Sequence, residues 1–228
     1  MSEIERKYER RLERFEANGK KYTLLSNVNG YTFIEYKSYK GLLSVNNIIL
    51  PPVFDSIGFD PTLKMAFVEI DGLKAIVDLF TGERLTPYNY DKIEFYAQDH
   101  SIIIYKNGLK GLFDVIKRCV EVEPGYSMVN RTSATRFTWM YAPEEGYYMQ
   151  DSLKGHNIFL GSDIQECFDE TNGHIFILRN NKIRMLTDEG TEDMMGYRKL
   201  LAKLNGRLTL YNSVKGVGVV ADIYGNVL

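Results

Sequence analysis

Three histidines, two cysteines and a few close carboxylate pairs are the residues of this chain whose chemistry could reach beyond packing. His100, His156 and His174 are the histidines. None stands in H-x-x-x-H or beside C-x-x-C, so the usual zinc spacing is missing. Cys167, His174 and Asp169 could supply a nucleophile, a base and an orienting carboxylate, which must lie within hydrogen-bond reach of each other to work. A lone cysteine between Glu166 and Phe168 is more often inert. Glu121 and Glu123 alternate along a strand-like piece. Acid–base catalysis needs two carboxyls in different environments, and neighbouring solvent-facing glutamates do not provide them. Gly216-Val-Gly-Val-Val-Ala221 has the letters of a dinucleotide fingerprint, but that fingerprint needs a helix opening behind it. Here Asp222-Ile-Tyr-Gly225 reads as strand and turn. Asn130-Arg-Thr132 is a glycosylation sequon in form only. These patterns lead us to expect no catalytic residue, no metal, no cofactor and no enzyme activity.

The aromatic residues point elsewhere. Trp139, Tyr141, Tyr147 and Tyr148 cluster in the sequence with Arg131 and Arg136. Arginine and large aromatics are the residue types that dominate protein-binding hot spots. Arg131, Arg136, Tyr141 and Tyr148 are therefore the expected partner-binding residues.

The elements that carry these residues recur. Gly41, Ala75, Gly111, Tyr147, Ile183 and Gly216 form a column with spacings of 34, 36, 36, 36 and 33. Each except Tyr147 follows a lysine. Eight residues earlier stand Phe33, Phe67, Ile103, Trp139, Ile175 and Leu208, all large and apolar, which makes core the expected place of Trp139. A third column reads Phe54, Tyr90, Tyr126, Ser162 and Tyr197. One period held by three columns over five or six copies marks a repeat architecture. The fourth copy departs most from the pattern.

Within a copy, two short apolar runs flank Asp71-Gly72 or Asn107-Gly108, the dipeptides of tight β-hairpins. A third extended piece follows, as in Tyr126 to Val129. The expected fold is all-β: about six tandem units of roughly 36 residues, each a three-stranded β-meander. Stacked neighbours would bury what one unit cannot. An open or curved array is favoured, with a propeller-like ring as the alternative. Residues 1–19 read differently. Ser2 and Glu5 form a capping box, Asn18-Gly19 supplies a stop, and Ile4, Tyr8, Leu12 and Phe15 share one helical face. The expectation is an N-terminal helix over 1–19 that caps a β-repeat domain over 20–228, the competing reading being a helix offered to a partner's groove.

Composition narrows the partners. Twenty-eight Lys+Arg against 30 Asp+Glu give a net charge of −2, too little field for a general nucleic-acid binder. Two cysteines make no disulfide scaffold and suit a reducing cytosol. The first residues hold no apolar signal core, and no stretch reaches the length of a membrane span. A cytoplasmic protein with no membrane contact is expected.

The segment Gly108-Leu-Lys-Gly-Leu-Phe-Asp114 resembles the G-K-W-G-L-I-D core of WG-repeat proteins. Tyr90-Asp91, with Pro87 nearby, and Pro51-Pro52-Val-Phe-Asp55 resemble the P-x-Y-D segment of that family. The resemblance spans residues 22–228 and is good in the first three copies. Lysine stands where the family has its tryptophan. The family is known mainly as bacterial repeat proteins without established catalytic residues. The resemblance implies a binding scaffold, and specifically a protein–protein interaction module such as an immunity protein against a delivered toxin. A ligand- or glycan-binding accessory module is the alternative, and a cysteine-dependent hydrolase a third reading.

Overall fold

A computed structural model describes residues 1–96, 100–131, 137–151, 157–162, 164–169, 175–179, 182–187, 190–193, 199–204, 207–212 and 217–222; beyond Ile164 only the backbone is described. Apart from one helix, α1 (Glu3–Ala17), its regular elements are strands in six antiparallel sheets. The first sheet is β1 (Thr23–Val28), β2 (Tyr31–Tyr36), β3 (Tyr39–Ser44) and β4 (Asn47–Phe54). The second is β5 (Ser56–Asp60), β6 (Met65–Ile70) and β7 (Leu73–Asp78). The third is β8 (Lys92–Tyr96), β9 (Ser101–Lys106), β10 (Leu109–Asp114) and β11 (Cys119–Tyr126). The fourth is β12 (Met128–Arg131), β13 (Phe137–Ala142), β14 (Gly146–Asp151) and β15 (Asn157–Gly161). The fifth is β16 (Ile164–Asp169), β17 (Ile175–Arg179), β18 (Lys182–Thr187) and β19 (Gly190–Asp193). The sixth is β20 (Lys199–Leu204), β21 (Arg207–Asn212) and β22 (Val217–Asp222). From the second sheet on, the sheets open at Ser56, Lys92, Met128, Ile164 and Lys199, so the spacing of the sequence columns is the spacing of the sheets. The fold is the all-β tandem array with an N-terminal helix that the sequence announces.

Two details differ from the sequence reading. The third extended piece of each copy does not close its own sheet; it opens the next one. Lys92–Tyr96 pairs with β9, and Met128–Arg131 pairs with β13. In addition, four of the six sheets carry a fourth strand. In the third sheet this is Cys119–Tyr126, where Pro124-Gly125 had suggested only a turn. An outer strand tolerates proline because its outward N–H groups need no partner. Gly41 shows the fit. A Cβ there would lie 2.6 Å from both the Leu50 carbonyl and the Pro52 nitrogen, and at Gly111 2.6 Å from the Pro124 nitrogen. The small residue of the repeat is what lets the proline-bearing outer strand come close.

The chain forms two compact units, Met1–Gly125 and Tyr126–Leu228. In the first, Leu42, Leu50, Val53 and Phe54 of the first sheet bury against Ala66, Val68, Ala75 and Val77 of the second. Met65 and Ile76 of the second bury against Ile102, Ile104 and Phe113 of the third. The second sheet is apolar on both faces because it is covered on both. Helix α1 completes this unit. Ser2 Oγ accepts the Glu5 amide at 3.1 Å while the Glu5 carboxylate accepts the Ser2 amide at 2.9 Å, the reciprocal cap read from the sequence. Ile4, Tyr8, Leu12 and the fully buried Phe15 pack onto the first two sheets. Arg11 donates to the Val53 carbonyl at 3.0 Å and to Asp55 at 2.9 Å, and reaches Asp71 at 3.3 Å. The helix thus caps its own array. In the second unit Trp139, Met149 and Ile164 form a buried cluster. Among the described residues no helix is long and apolar enough to cross a membrane.

Candidate functional site

Most motif residues are consumed by the scaffold. The aspartates that close Ala75-Ile-Val-Asp78 and Gly111-Leu-Phe-Asp114 tie the turns behind them. Asp78 Oδ1 accepts the amides of Phe80 at 2.8 Å and Thr81 at 2.7 Å, and Asp114 Oδ1 accepts the Lys117 amide at 2.8 Å. Both aspartates are buried. Burial raises the Asp78 carboxyl, but the Thr81 and Phe80 bonds and nearby Arg118 outweigh it and hold the group below its ordinary value. The aspartate after the aromatic column has a different task. Asp55 accepts the amide of Asp71 at 2.7 Å, and Asp91 that of Asn107 at 2.5 Å. Each clasps the hairpin turn sixteen residues later. Two of the lysines that precede the small-residue column form cross-strand ion pairs: Lys40 with Glu35, and Lys74 with Glu69 at 3.1 Å. The Ser56 hydroxyl and Lys74 together hold Glu69 below its ordinary value.

His100 is exposed in the turn before β9. His156 and His174 lie outside the described residues. Cys167 and Asp169 both fall on β16. Cys119 is an exposed free thiol. Glu121 corrects the sequence reading: its side chain is only 5% exposed and pairs with Lys117 at 2.8 Å, while Glu123 faces solvent. The fingerprint-like stretch is strand, since Val217–Asp222 is β22.

The fourth sheet holds the expected partner-binding residues, except Arg136, which lies outside the described residues. Its hairpin is unusual. Ala142 pairs with Gly146 across a three-residue loop, where the second and third sheets use two residues, as between Ile70 and Leu73. The extra residue shifts the register. Met140 pairs with Tyr148, whereas Ile104, thirty-six positions earlier, pairs with Gly111. A tyrosine therefore occupies the place of the small residue, and close approach moves to Gly146, where a Cβ would lie 2.6 Å from Ser162 Cα.

Strand alternation then sorts the set. Arg131 pairs with Thr138 and Tyr148 with Met140, which puts Arg131 and Tyr148 on one face. Tyr141 lies on the other, with its partner Tyr147 at 4.7 Å between ring centroids and near Trp139. Trp139 is core, as its column implies. Tyr148 instead joins two rings that the sequence reading had not grouped with it, Tyr126 at 5.8 Å and Phe159 at 5.1 Å. Phe159 is 55% exposed. Asn157 donates to the Tyr126 hydroxyl at 3.1 Å, and Tyr148 donates to the Glu145 carboxylate, which holds its phenol protonated to higher pH. Phe159 was legible only through its pairing with Tyr148, because an isolated Ile-Phe-Leu run reads as core.

The same face has a polar row. Arg131, Thr138 and Gln150 pair in sequence across three strands, where the third sheet has Phe95, Ile102 and Phe113. Thr138 and Gln150 are buried, and the Thr138 hydroxyl has no hydrogen-bond partner among the described residues. Subtracting one period from Arg131 and Thr138 would have shown this substitution in the sequence.

No family model matches the chain, and no curated protein is similar to it. Among solved structures, a eukaryotic initiation factor superposes with a TM-score of 0.41 at 11% identity, over 88% of this chain and 62% of the other. The extracellular domain of a proposed hybrid two-component system from B. thetaiotaomicron gives 0.34 at 10% identity, over 91% and 34%. PorZ, a surface component of the type-IX secretion system of Porphyromonas gingivalis, gives 0.30 at 10%, over 89% and 32%. The chain spans less than two thirds of the length of each. At these scores the likeness assigns neither a shared fold nor a shared function.

Proposed function

We propose that this chain is a non-enzymatic protein–protein interaction module built from divergent WG-like repeats, and that its protein partner docks on the fourth sheet. The observation that carries the reading is the ring cluster of Tyr126, Tyr148 and Phe159, partly open to solvent beside the outer strand β15. A large aromatic left 55% exposed adds little to the core, but is the kind of side chain that anchors an interface. Arg131 shares that face. The extra loop residue that brings Tyr148 into the cluster is a departure from the repeat, and departures from a repeat template are where function is sought. Tyr141, on the opposite face, is outside this docking surface. The repeat framework supports the reading too, since its aspartate clasps hold the sheets while surface side chains vary. The toxin-neutralising role implied by the family resemblance is part of the proposal, as is a cytosolic workplace where Cys119 stays reduced.

Affinity capture from the native lysate tests it. One stoichiometric protein is expected, and Phe159→Ala and Tyr148→Ala are each expected to weaken its binding at least ~30-fold at unchanged melting temperature. Retention of no protein, or of one that both variants bind normally, overturns the proposal.

A further inference from the structure

A cavity of about 360 Å³ lies between the N-terminal half of α1 and the first two sheets, wholly within the first unit. Its size is at the lower end of the range for small-ligand sites, roughly 300–1,000 Å³. Several features build it. Gly82 has φ +75 and lies so close to the Ile49 carbonyl that no side chain fits there. The loop that carries Gly82 is fixed by Asp78, which accepts the Gly82-flanking Thr81 amide and hydroxyl. Tyr8 of α1 stacks on Phe54 at 5.9 Å with 29° between the planes. Tyr88 supplies a further ring to the lining.

The charges are unequally committed. Arg84 bonds Glu5 at 3.3 Å, and its guanidinium lies over the Tyr88 ring at 5.0 Å from the centroid. Glu5 also closes the helix cap through the Ser2 amide. Arg84, the cationic side chain of the lining, is therefore neutralised, and the Met1 ammonium also acts on Glu5. Glu9, one turn further along α1, also lines the cavity, and forms no ion pair among the described residues. What the cavity offers a visitor is aromatic faces and one uncommitted carboxylate. The negative faces of the rings and the carboxylate attract the same chemistry, an organic cation with a flat apolar body.

We propose that this cavity binds a small aromatic amine, with its ring against Tyr8 and Tyr88 and its ammonium at Glu9. An aromatic carboxylate of the same shape meets the uncommitted Glu9 and is refused. This site is separate from the docking surface on the fourth sheet, and either can stand without the other. The phenols of Tyr8 and Tyr88 are held protonated by burial, so they stay neutral donors across the working pH range.

Calorimetric titration of the full chain with tryptamine, tyramine and phenethylamine tests this, with indole-3-propionate as the anionic counterpart. At least one amine is expected to saturate a single site and raise the melting temperature, and the acid to do neither. Glu9 is solvent-exposed on the helix, so Glu9→Gln leaves the fold intact and is expected to weaken amine binding roughly tenfold. Pro51→Phe, which narrows the cavity from its lining, is expected to abolish binding. No saturation with any of the three amines, equal binding of the acid, or binding unchanged by Glu9→Gln each overturns the proposal.

Discussion

Asp78 accepts three hydrogen bonds from two residues of its own turn and pairs with Arg118 at 2.9 Å. Its side chain is buried, so removing it strands those donors. Asp78→Ala is expected to lower unfolding free energy by about 3 kcal/mol, read from urea melts. Acid should act on the same group. Asp78, Glu69 and Asp71 are all held below their ordinary values, Asp71 chiefly by its hydrogen bond from Lys7. A carboxyl depressed in the fold contributes stability above its unfolded pKa and loses it as pH falls through the folded value. Stability should therefore be level above about pH 5 and decline from about pH 4 downward. Asp78→Asn is expected to flatten part of that decline. Thr138 works in the opposite sense. Its hydroxyl is buried without a partner among the described residues, and valine has the same shape. Thr138→Val is expected to stabilise the chain by about 1 kcal/mol.

Hairpin turns show how local chemistry and repeat demand can disagree. Asp71-Gly72 and Asn107-Gly108 have positive φ at both residues, as their letters announce. Val45-Asn46 adopts the same geometry, with φ of 48° and 71°. A β-branched residue is strained there, and Val45 is 86% exposed, so no packing offsets the strain. Val45→Asn with Asn46→Gly is expected to add about 1 kcal/mol, measured as a shift in urea midpoint. The helix gives the converse case. Its cap and apolar face were legible from Ser2, Glu5, Ile4, Tyr8, Leu12 and Phe15, because those signals are local. Arg11 was not, because its partners are Val53, Asp55 and Asp71. Arg11→Met should cost about 2 kcal/mol and loosen α1, seen as faster amide exchange in residues 3–17. The same division runs through the site. The period placed the sheets, and the Asn-Gly and Asp-Gly turns placed the hairpins. The fourth strands of the first and third sheets were missed because prolines at 51, 52 and 124 read as breakers, whereas a bulge opposite Gly41 and the missing side chain at Gly111 make room for them. Tyr148 and Arg131 were found by residue type. Their separation from Tyr141 was not, because it depends on one extra residue at Pro143–Glu145 that changes pairing without disturbing the columns.

At the scale of the molecule, every described strand pair joins strands adjacent in sequence. Residues 1–125 contain the helix, three sheets and two buried clusters, which is the content of an independent domain. A chain ending after Tyr126 is expected to unfold cooperatively, with a far-ultraviolet signal of β structure. A non-cooperative melt would show that the unit needs the rest of the chain.

The clasp between Arg11 and Asp71 has a consequence for the order of events during synthesis. The helix leaves the ribosome ahead of the sheets it caps, yet its anchor lies sixty residues downstream. At roughly 5–20 residues per second, the apolar stripe of Ile4, Tyr8, Leu12 and Phe15 waits about 3–12 s for the two sheets that will cover it. Each sheet, by contrast, can close as soon as its own meander has emerged. The nascent chain therefore carries a solvent-facing amphipathic helix through the period when its sheets are maturing one by one. That exposed stripe is where a ribosome-associated chaperone would find purchase on this protein before the first two sheets have formed.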